Sequence, residues 1–201
     1  MKNIIELLEH EHQEIRKVVE VMSRLARDIE AGQEFNPSLL GDIVQFMRIF
    51  GERCHHVKEE KALFSLLEAK GVPANGCPIG VLTSEHRHSH ALLNQLEMAS
   101  ASYRYGDVNA RLVLLDLLKS LTELYQHHIW KEEYLLFPMA KKVLGAADYE
   151  TLSAQFGAIE ASIGVDVHHG MEALVGVMEQ QEHESEDDAV AVPECSVCGH
   201  E

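Results

Sequence analysis

The sequence predicts an all-α protein: an up-down-up-down four-helix bundle, then one or two extra C-terminal helices and a flexible tail containing a CxxC pair. Three observations support this prediction. Four long segments carry apolar residues at helical spacing, short loops rich in glycine or proline separate them, and no segment shows the alternation of a β-strand. Long amphipathic helices joined by short loops are typical of helical bundles.

The first two helices are bounded by clear signals. Residues 2–31 carry an apolar stripe, and Gly32 ends the pattern. Asn36 followed by Pro37 is typical of an N-cap and a first-turn proline. We therefore expect the second helix to begin there and to end near Lys70, where glycine and proline follow.

The third helix is expected over residues 79–105 and the fourth over residues 108–144, with a glycine after each. Residues 148–181 could add one or two shorter helices, with breaks near Gly157 and Gly164. The expected organisation is a bundle over residues 1–145, a helical extension over 146–181 and an acidic linker with the CxxC tail over 182–201.

Charge and hydropathy exclude several classes of function. All 17 basic residues precede position 143, whereas 13 of the 33 acids follow it. This balance argues against nucleic acid as a partner, because phosphate binding needs clustered Lys and Arg. No apolar run is long enough to cross a bilayer, and the N-terminus lacks a signal peptide's apolar core. We expect a cytoplasmic protein without membrane association.

One ten-residue motif occurs twice. Both copies read H-x-x-K-E-E-x-x-L-F, from His55 to Phe64 and from His128 to Phe137. Each places a histidine four residues before a glutamate, so both side chains share one helix face. We expect the lysines of the motif to be solvated and the Leu-Phe pairs to pack over the site.

Helical phase places imidazoles on the apolar face of all four helices. His12, His86 and His90 lie in phase with apolar neighbours, and His128 and Glu132 extend an apolar stripe of the fourth helix. On the second helix, alignment with the second motif copy favours His55 and Glu59 over their neighbours. Two unpaired buried carboxylates would be very costly, so a shared metal dication is the economical partner. Two bridging carboxylates and five imidazoles suit two ions, with iron, zinc and manganese all possible.

These motifs resemble the hemerythrin family, in particular bacterial hemerythrin-like (HHE cation-binding) proteins, over roughly residues 3–145. The resemblance implies a carboxylate-bridged di-iron centre. Carried over by position, its ligands would be His12, His55, Glu59, His86, His90, His128 and Glu132. Some hemerythrin-like proteins lack the ligand at the position of His90. A five-residue step, frequent on the family's last helix, would select His127, but helical phase favours His128.

Cys195 and Cys198 form half of a zinc-ribbon-like knuckle near the C-terminus. A structural metal normally needs four ligands, and no second CxxC exists in the chain. The pair could hold zinc or iron with other residues or across a dimer, or it could be an unliganded thiol pair. We hypothesise that it exchanges electrons with the di-metal centre.

The preferred function is a di-iron protein that binds or reacts with O2, NO or peroxide, for sensing, carriage or stress protection. The alternative is a di-iron oxidoreductase with peroxidase, oxidase, NO-reducing or iron-donating activity, which uses the CxxC as a relay. An electron-transfer partner is expected for that alternative, and either a monomer or a dimer is compatible with the sequence.

Overall fold

The computed structural model describes residues 4–188, within which all regular structure is helical and no strand occurs. Six helices follow one another in this part of the chain. They are α1 (Ile4–Glu30), α2 (37–69), α3 (Ile79–Arg104), α4 (110–143), α5 (Ala146–Ile163) and α6 (Val165–Asp188).

The helix ends agree with the sequence signals at most positions. The Asn36 side chain accepts a hydrogen bond from the Ser38 backbone N–H at 3.0 Å and so caps α2. Gly164 separates α5 from α6 with a φ of 103°, which favours glycine. The break expected near Gly157 is wrong, because α5 runs through it. Helix α6 also continues to Asp188, past the expected start of the linker at Glu182.

Helices α2 and α4 each contain wide π-helical turns. In α2 these are Met47–His56 and Glu59–Phe64, and in α4 the turn is Glu132–Leu136. The α4 segment ends two residues before Pro138, whose missing N–H interrupts the regular ladder. The π segments contain eight of the ten residues of the first motif and five of the ten of the second, and such turns occur frequently at functional sites.

The first four helices pack in a ring, α1 against α2 and α4, and α3 against α2 and α4. Helices α5 and α6 both lie against α1 and α2, so they cover one side of the ring. Their residues Leu152, Phe156, Met171, Val175 and Met178 are part of the buried core. None of the helices in residues 4–188 combines the length and apolarity required to cross a membrane.

The core consists of two apolar clusters with a polar layer between them. One cluster contains Ile15 and Phe50, and the other contains Leu8 and Ala62. Helices α1 to α4 contribute residues to both clusters, and between the clusters each of them carries buried His or Glu residues. This layer is the only part of the described core in which several ionisable side chains are buried together.

Candidate metal centre

Six predicted ligand residues meet in the polar layer. Their ligand atoms fall into two overlapping groups, each with all atoms within 4.8 Å of one another. The first group is His12, His55, Glu59 and Glu132, and the second is Glu59, His86, His128 and Glu132. Both glutamates belong to both groups, as expected for carboxylates that could bridge two ions.

The imidazoles form two matched pairs. The Nε2 atoms of His12 and His55 lie 3.1 Å apart, and those of His86 and His128 are also 3.1 Å apart. Glu132 reaches both pairs, with Oε2 3.1 Å from His12 Nε2 and Oε1 3.2 Å from His128 Nε2. Glu59 also reaches both, with Oε2 3.7 Å from His55 Nε2 and 3.4 Å from His86 Nε2.

The carboxylates of Glu59 and Glu132 receive no hydrogen bond from the described residues. Both are fully buried, and none of their four carboxylate oxygens accepts a hydrogen bond within the described residues, although imidazole nitrogens lie 3.1–3.7 Å away. Burying an ionised carboxylate without a compensating charge costs several kcal/mol in lost hydration. These orphaned oxygens, facing imidazole nitrogens, fit a pair of metal dications that Glu59 and Glu132 would bridge.

Each of the four imidazoles is held from behind by a carboxylate. Its Nδ1 lies within hydrogen-bonding distance of a glutamate on another helix, which fixes the ring and directs Nε2 to the centre. The pairs are His12–Glu133 at 3.0 Å, His55–Glu11 at 2.9 Å, His86–Glu60 at 2.7 Å and His128–Glu85 at 3.0 Å.

The arrangement repeats as two halves. Glu11-His12 on α1 corresponds to Glu85-His86 on α3, and the two H-x-x-K-E-E motifs correspond on α2 and α4. The glutamate of each Glu-His dipeptide orients the motif histidine of its own half. The last acid of each motif orients the dipeptide histidine of the other half. The sequence signal for these partners is the Glu-His dipeptide for Glu11 and Glu85 and the last acid of each motif for Glu60 and Glu133.

The motif lysines also belong to this network, and the prediction that both are solvated is wrong for Lys58. Its Nζ bonds to Glu11 and, at 2.7 Å, to Glu160 of α5, with no exposed side-chain surface. Burial by itself lowers the pKa of Lys58, but Glu11 outweighs it and raises the pKa. Lys131 bonds to Glu85 at 2.6 Å but keeps 26% of its side chain exposed. The lysines therefore neutralise the carboxylates that orient His55 and His128.

Protonation of the imidazoles compensates the buried carboxylates in the metal-free chain. Burial lowers the pKa of His12, but Glu132 and Glu133 outweigh it and raise the pKa to about 9. Burial likewise lowers the pKa of His128, and Glu132 and Glu85 raise it to about 10. Burial would raise the pKa of Glu132, yet His128 and His12 hold it well below its usual range. The site thus favours positive charge, which a metal ion would supply in place of protons.

His90, the seventh predicted ligand, is not brought to the centre. Its side chain is 59% exposed, and its Nδ1 lies 3.0 Å from both Glu52 and Arg48 on α2. His90 follows His86 by one turn, but the α2 residues opposite it, Arg48 and Glu52, are charged side chains rather than histidines. His128 is buried while its neighbour His127 is exposed. Cys195 and Cys198 lie outside the described residues.

His56 was not among the predicted ligands, although it is almost fully buried beside the centre. Its ring stacks on His86 with centroids 3.8 Å apart and planes 12° apart. Its Nε2 has no hydrogen-bond partner among the described residues. Burial lowers the pKa of His56 well below its ordinary value, and His86 and His128 lower it further, so the ring is neutral. The wide turn Met47–His56 lets two adjacent histidines face inward.

The sequence comparison agrees with this geometry. Residues 3–140 match the hemerythrin HHE cation binding domain. The chain belongs to the hemerythrin HHE family. This membership indicates a metal-binding helical domain, for which iron is the typical cation.

Among curated proteins, this hemerythrin-family chain is similar to three mycobacterial relatives. They are the uncharacterized proteins Rv1995 and MT2051 of Mycobacterium tuberculosis and Mb2018 of Mycobacterium bovis. Each is 22% identical over 149 residues, which is 74% of this chain and 58% of the relative's length. No solved structure gives a significant match.

Proposed function

We propose that this chain is a non-haem di-iron protein that binds or reacts with O2, NO or peroxide in sensing, carriage or stress protection. The observation that carries the proposal is the buried layer in which four Nε2 atoms lie beside the carboxylates of Glu59 and Glu132, whose oxygens accept no hydrogen bond within the described residues. Membership of the hemerythrin HHE family supports iron as the cation.

Each half of the layer would hold one ion. His12 and His55 would bind the first ion and His86 and His128 the second, with Glu59 and Glu132 bridging them. The up-down-up-down bundle predicted from the sequence would supply one imidazole from each helix. His90 is left out of this proposed set because it faces solvent.

Six protein ligands for two ions leave coordination positions open to a small molecule. When bound, the iron pair supplies the redox capacity and the open positions that reaction with a diatomic or peroxide needs. The protein orients the imidazoles through four carboxylates and excludes bulk water by burial. Phe137 stacks on His12 at 5.5 Å between centroids and Phe64 on His86 at 6.0 Å, so both motif phenylalanines seal the layer.

The experiment is anaerobic reconstitution of the full chain with Fe(II), followed by elemental analysis and optical spectra before and after addition of O2 or NO. We expect two iron ions per chain and a new absorption band on addition of at least one ligand. An iron-free product with no spectral response would contradict the proposal.

The oxidoreductase alternative depends on Cys195 and Cys198 as a relay that holds zinc or iron or carries thiols. No contact within residues 4–188 favours this alternative over simple ligand binding. Truncation after Ala191 tests it, because a relay predicts slower reduction of the centre by an electron-transfer partner. Unchanged reduction kinetics would refute the relay.

A cytoplasmic location is a further part of the proposal.

A further inference from the structure

A helix outside the matched family domain contacts the network behind the centre. The family match ends at residue 140, whereas α5 begins at Ala146 and packs against α1 and α2. The Glu160 side chain of α5 accepts a hydrogen bond from Lys58 Nζ at 2.7 Å. Phe156 lies one turn earlier on the same face of α5, and its ring centroid is 5.8 Å from the same Nζ. Helix α5 therefore supplies two of the groups that surround Lys58.

Lys58 connects α5 to a predicted metal ligand. Its ammonium group also donates to Glu11, and Glu11 Oε2 lies 2.9 Å from His55 Nδ1. The contacts thus run from Glu160 on α5 through Lys58 and Glu11 to His55. The side chains of Lys58, Glu11 and His55 are at most 1% exposed, whereas that of Glu160 is 31% exposed. Among these four groups, only Glu160 is in substantial contact with solvent.

The equivalent lysine of the second half has a different environment. Lys131 bonds to Glu85 at 2.6 Å, and these two side chains keep 26% and 22% of their surface exposed. Solvent therefore hydrates the Lys131 ammonium and screens its charge. A buried ammonium such as that of Lys58 needs protein groups for this purpose. Glu160 provides one of them, so the two halves differ in what compensates the motif lysine.

Charge and geometry predict the same direction for the effect of Glu160. Its carboxylate offsets the positive charge of Lys58, so less of that charge opposes a cation at His12 and His55. It also shares the Lys58 ammonium with Glu11, which leaves Glu11 a stronger acceptor for the Nδ1–H of His55. A stronger acceptor fixes the ring and makes its Nε2 a better metal ligand. Both effects favour cation binding at the first half.

We propose that Glu160 is a positioning residue of the centre, which acts through Lys58 and Glu11 on His55 and strengthens cation binding at the first half. The inference rests on the proposed metal-binding function. It gives the helical extension a role in the centre beyond packing on the bundle.

Fe(II) is the probe, and anaerobic competition with a chromogenic chelator gives the affinity of the full chain for each of its two ions. The variants are Glu160→Gln, Lys58→Met, the double variant that combines them, and Lys70→Met. Glutamine keeps the size of the Glu160 side chain and removes its charge. Lys70→Met is the matched control, because Lys70 Nζ lies 2.7 Å from Asp148 Oδ2 and forms another ion pair between α5 and the end of α2.

Glu160→Gln should weaken one of the two ions about 3- to 10-fold and leave the other within about twofold, since loss of a residue that contacts a ligand directly costs roughly 10- to 100-fold. Lys70→Met should leave both affinities within about twofold of the wild type, because this pair is exposed and remote from the ligands. The double variant should bind Fe(II) like Lys58→Met, because residues that act through one another are not additive.

Wild-type affinity for both ions in Glu160→Gln would overturn the inference and leave the proposed function intact. Equal weakening by Lys70→Met would do the same, because Glu160 would then only dock α5. Additive losses in the double variant would exclude action through Lys58. If Lys58→Met does not fold, the comparison of Glu160→Gln with Lys70→Met still decides. A wild-type chain that holds no iron would instead overturn the proposed function, and this inference with it.

Discussion

Replacement of Lys58 by methionine tests whether the repeated motif contributes a buried charge network rather than surface charges. Lys58 has no exposed side-chain surface and bonds to Glu11 and Glu160, and Glu11 is itself buried. The substitution keeps an apolar chain of similar length but removes the ammonium group from Glu11, which retains its contact with His55. Breaking one side of a buried ion pair costs about 3–5 kcal/mol.

Lys131→Met is the matched control, because it changes the same position of the second motif. Lys131 and its partner Glu85 keep 26% and 22% of their side chains exposed. Solvent screens this pair, and exposed pairs contribute about 0.2–1 kcal/mol. The two variants should therefore differ by roughly 2–5 kcal/mol in the free energy of unfolding.

The assay is urea denaturation of the metal-free full chain at pH 7, followed by far-ultraviolet circular dichroism, with m-values compared between variants. Equal destabilisation by the two substitutions, within about 1 kcal/mol, would refute the reasoning. So would a Lys58→Met variant as stable as the wild type.

Three further predictions concern the centre itself. Glu59→Gln and Glu132→Gln should each reduce iron content below two ions per chain by elemental analysis, because each removes a charged bridging ligand; full occupancy in both would contradict the bridging role. His90→Leu should keep two ions per chain, since this side chain faces solvent, and loss of an ion would restore His90 as a ligand. Metal loading at pH 7.5 should release protons, detected with a pH indicator, because the pKa values of His12 and His128 are raised to about 9 and about 10; no proton release would contradict their protonation in the metal-free chain.

The same pKa values define the pH dependence of the metal-free fold. A raised pKa means that protonated His12 and His128 stabilise the folded state fully below their ordinary value of 6.5. This stabilisation is lost as the pH rises through 9 and 10. Metal binding has the opposite dependence in this range, because the ion needs neutral imidazoles.

Much of the fold was predictable from the sequence because its signals are local. The N-cap at Asn36, the turn at Gly32 and the break at Gly164 depend on neighbouring residues. The break near Gly157 was predicted wrongly, because a single glycine within a helix costs only about 1 kcal/mol. Packing of α5 on α1 and α2 accounts for its tolerance.

Helical phase predicted the burial of three site histidines, whereas His55 and Glu59, which lie in π segments, were predicted from the repeated motif. His12, His86 and His128 follow the apolar stripes of regular helices, and all three are buried. His56 was missed because the π segment Met47–His56 changes the phase just before the ligand positions. Burial of Lys58 was missed because its partner Glu160 is 102 residues away in the chain. Such contacts depend on tertiary packing, which periodicity alone does not describe.

The central claim is that two cations lie between Glu59 and Glu132 in the polar layer. The most direct test is a crystal structure of the iron-reconstituted full chain with anomalous scattering recorded at the iron edge. Two anomalous peaks about 3.5–4 Å apart, one beside His12 and His55 and the other beside His86 and His128, are predicted. A layer without anomalous density would contradict the account, as would a single iron bound elsewhere.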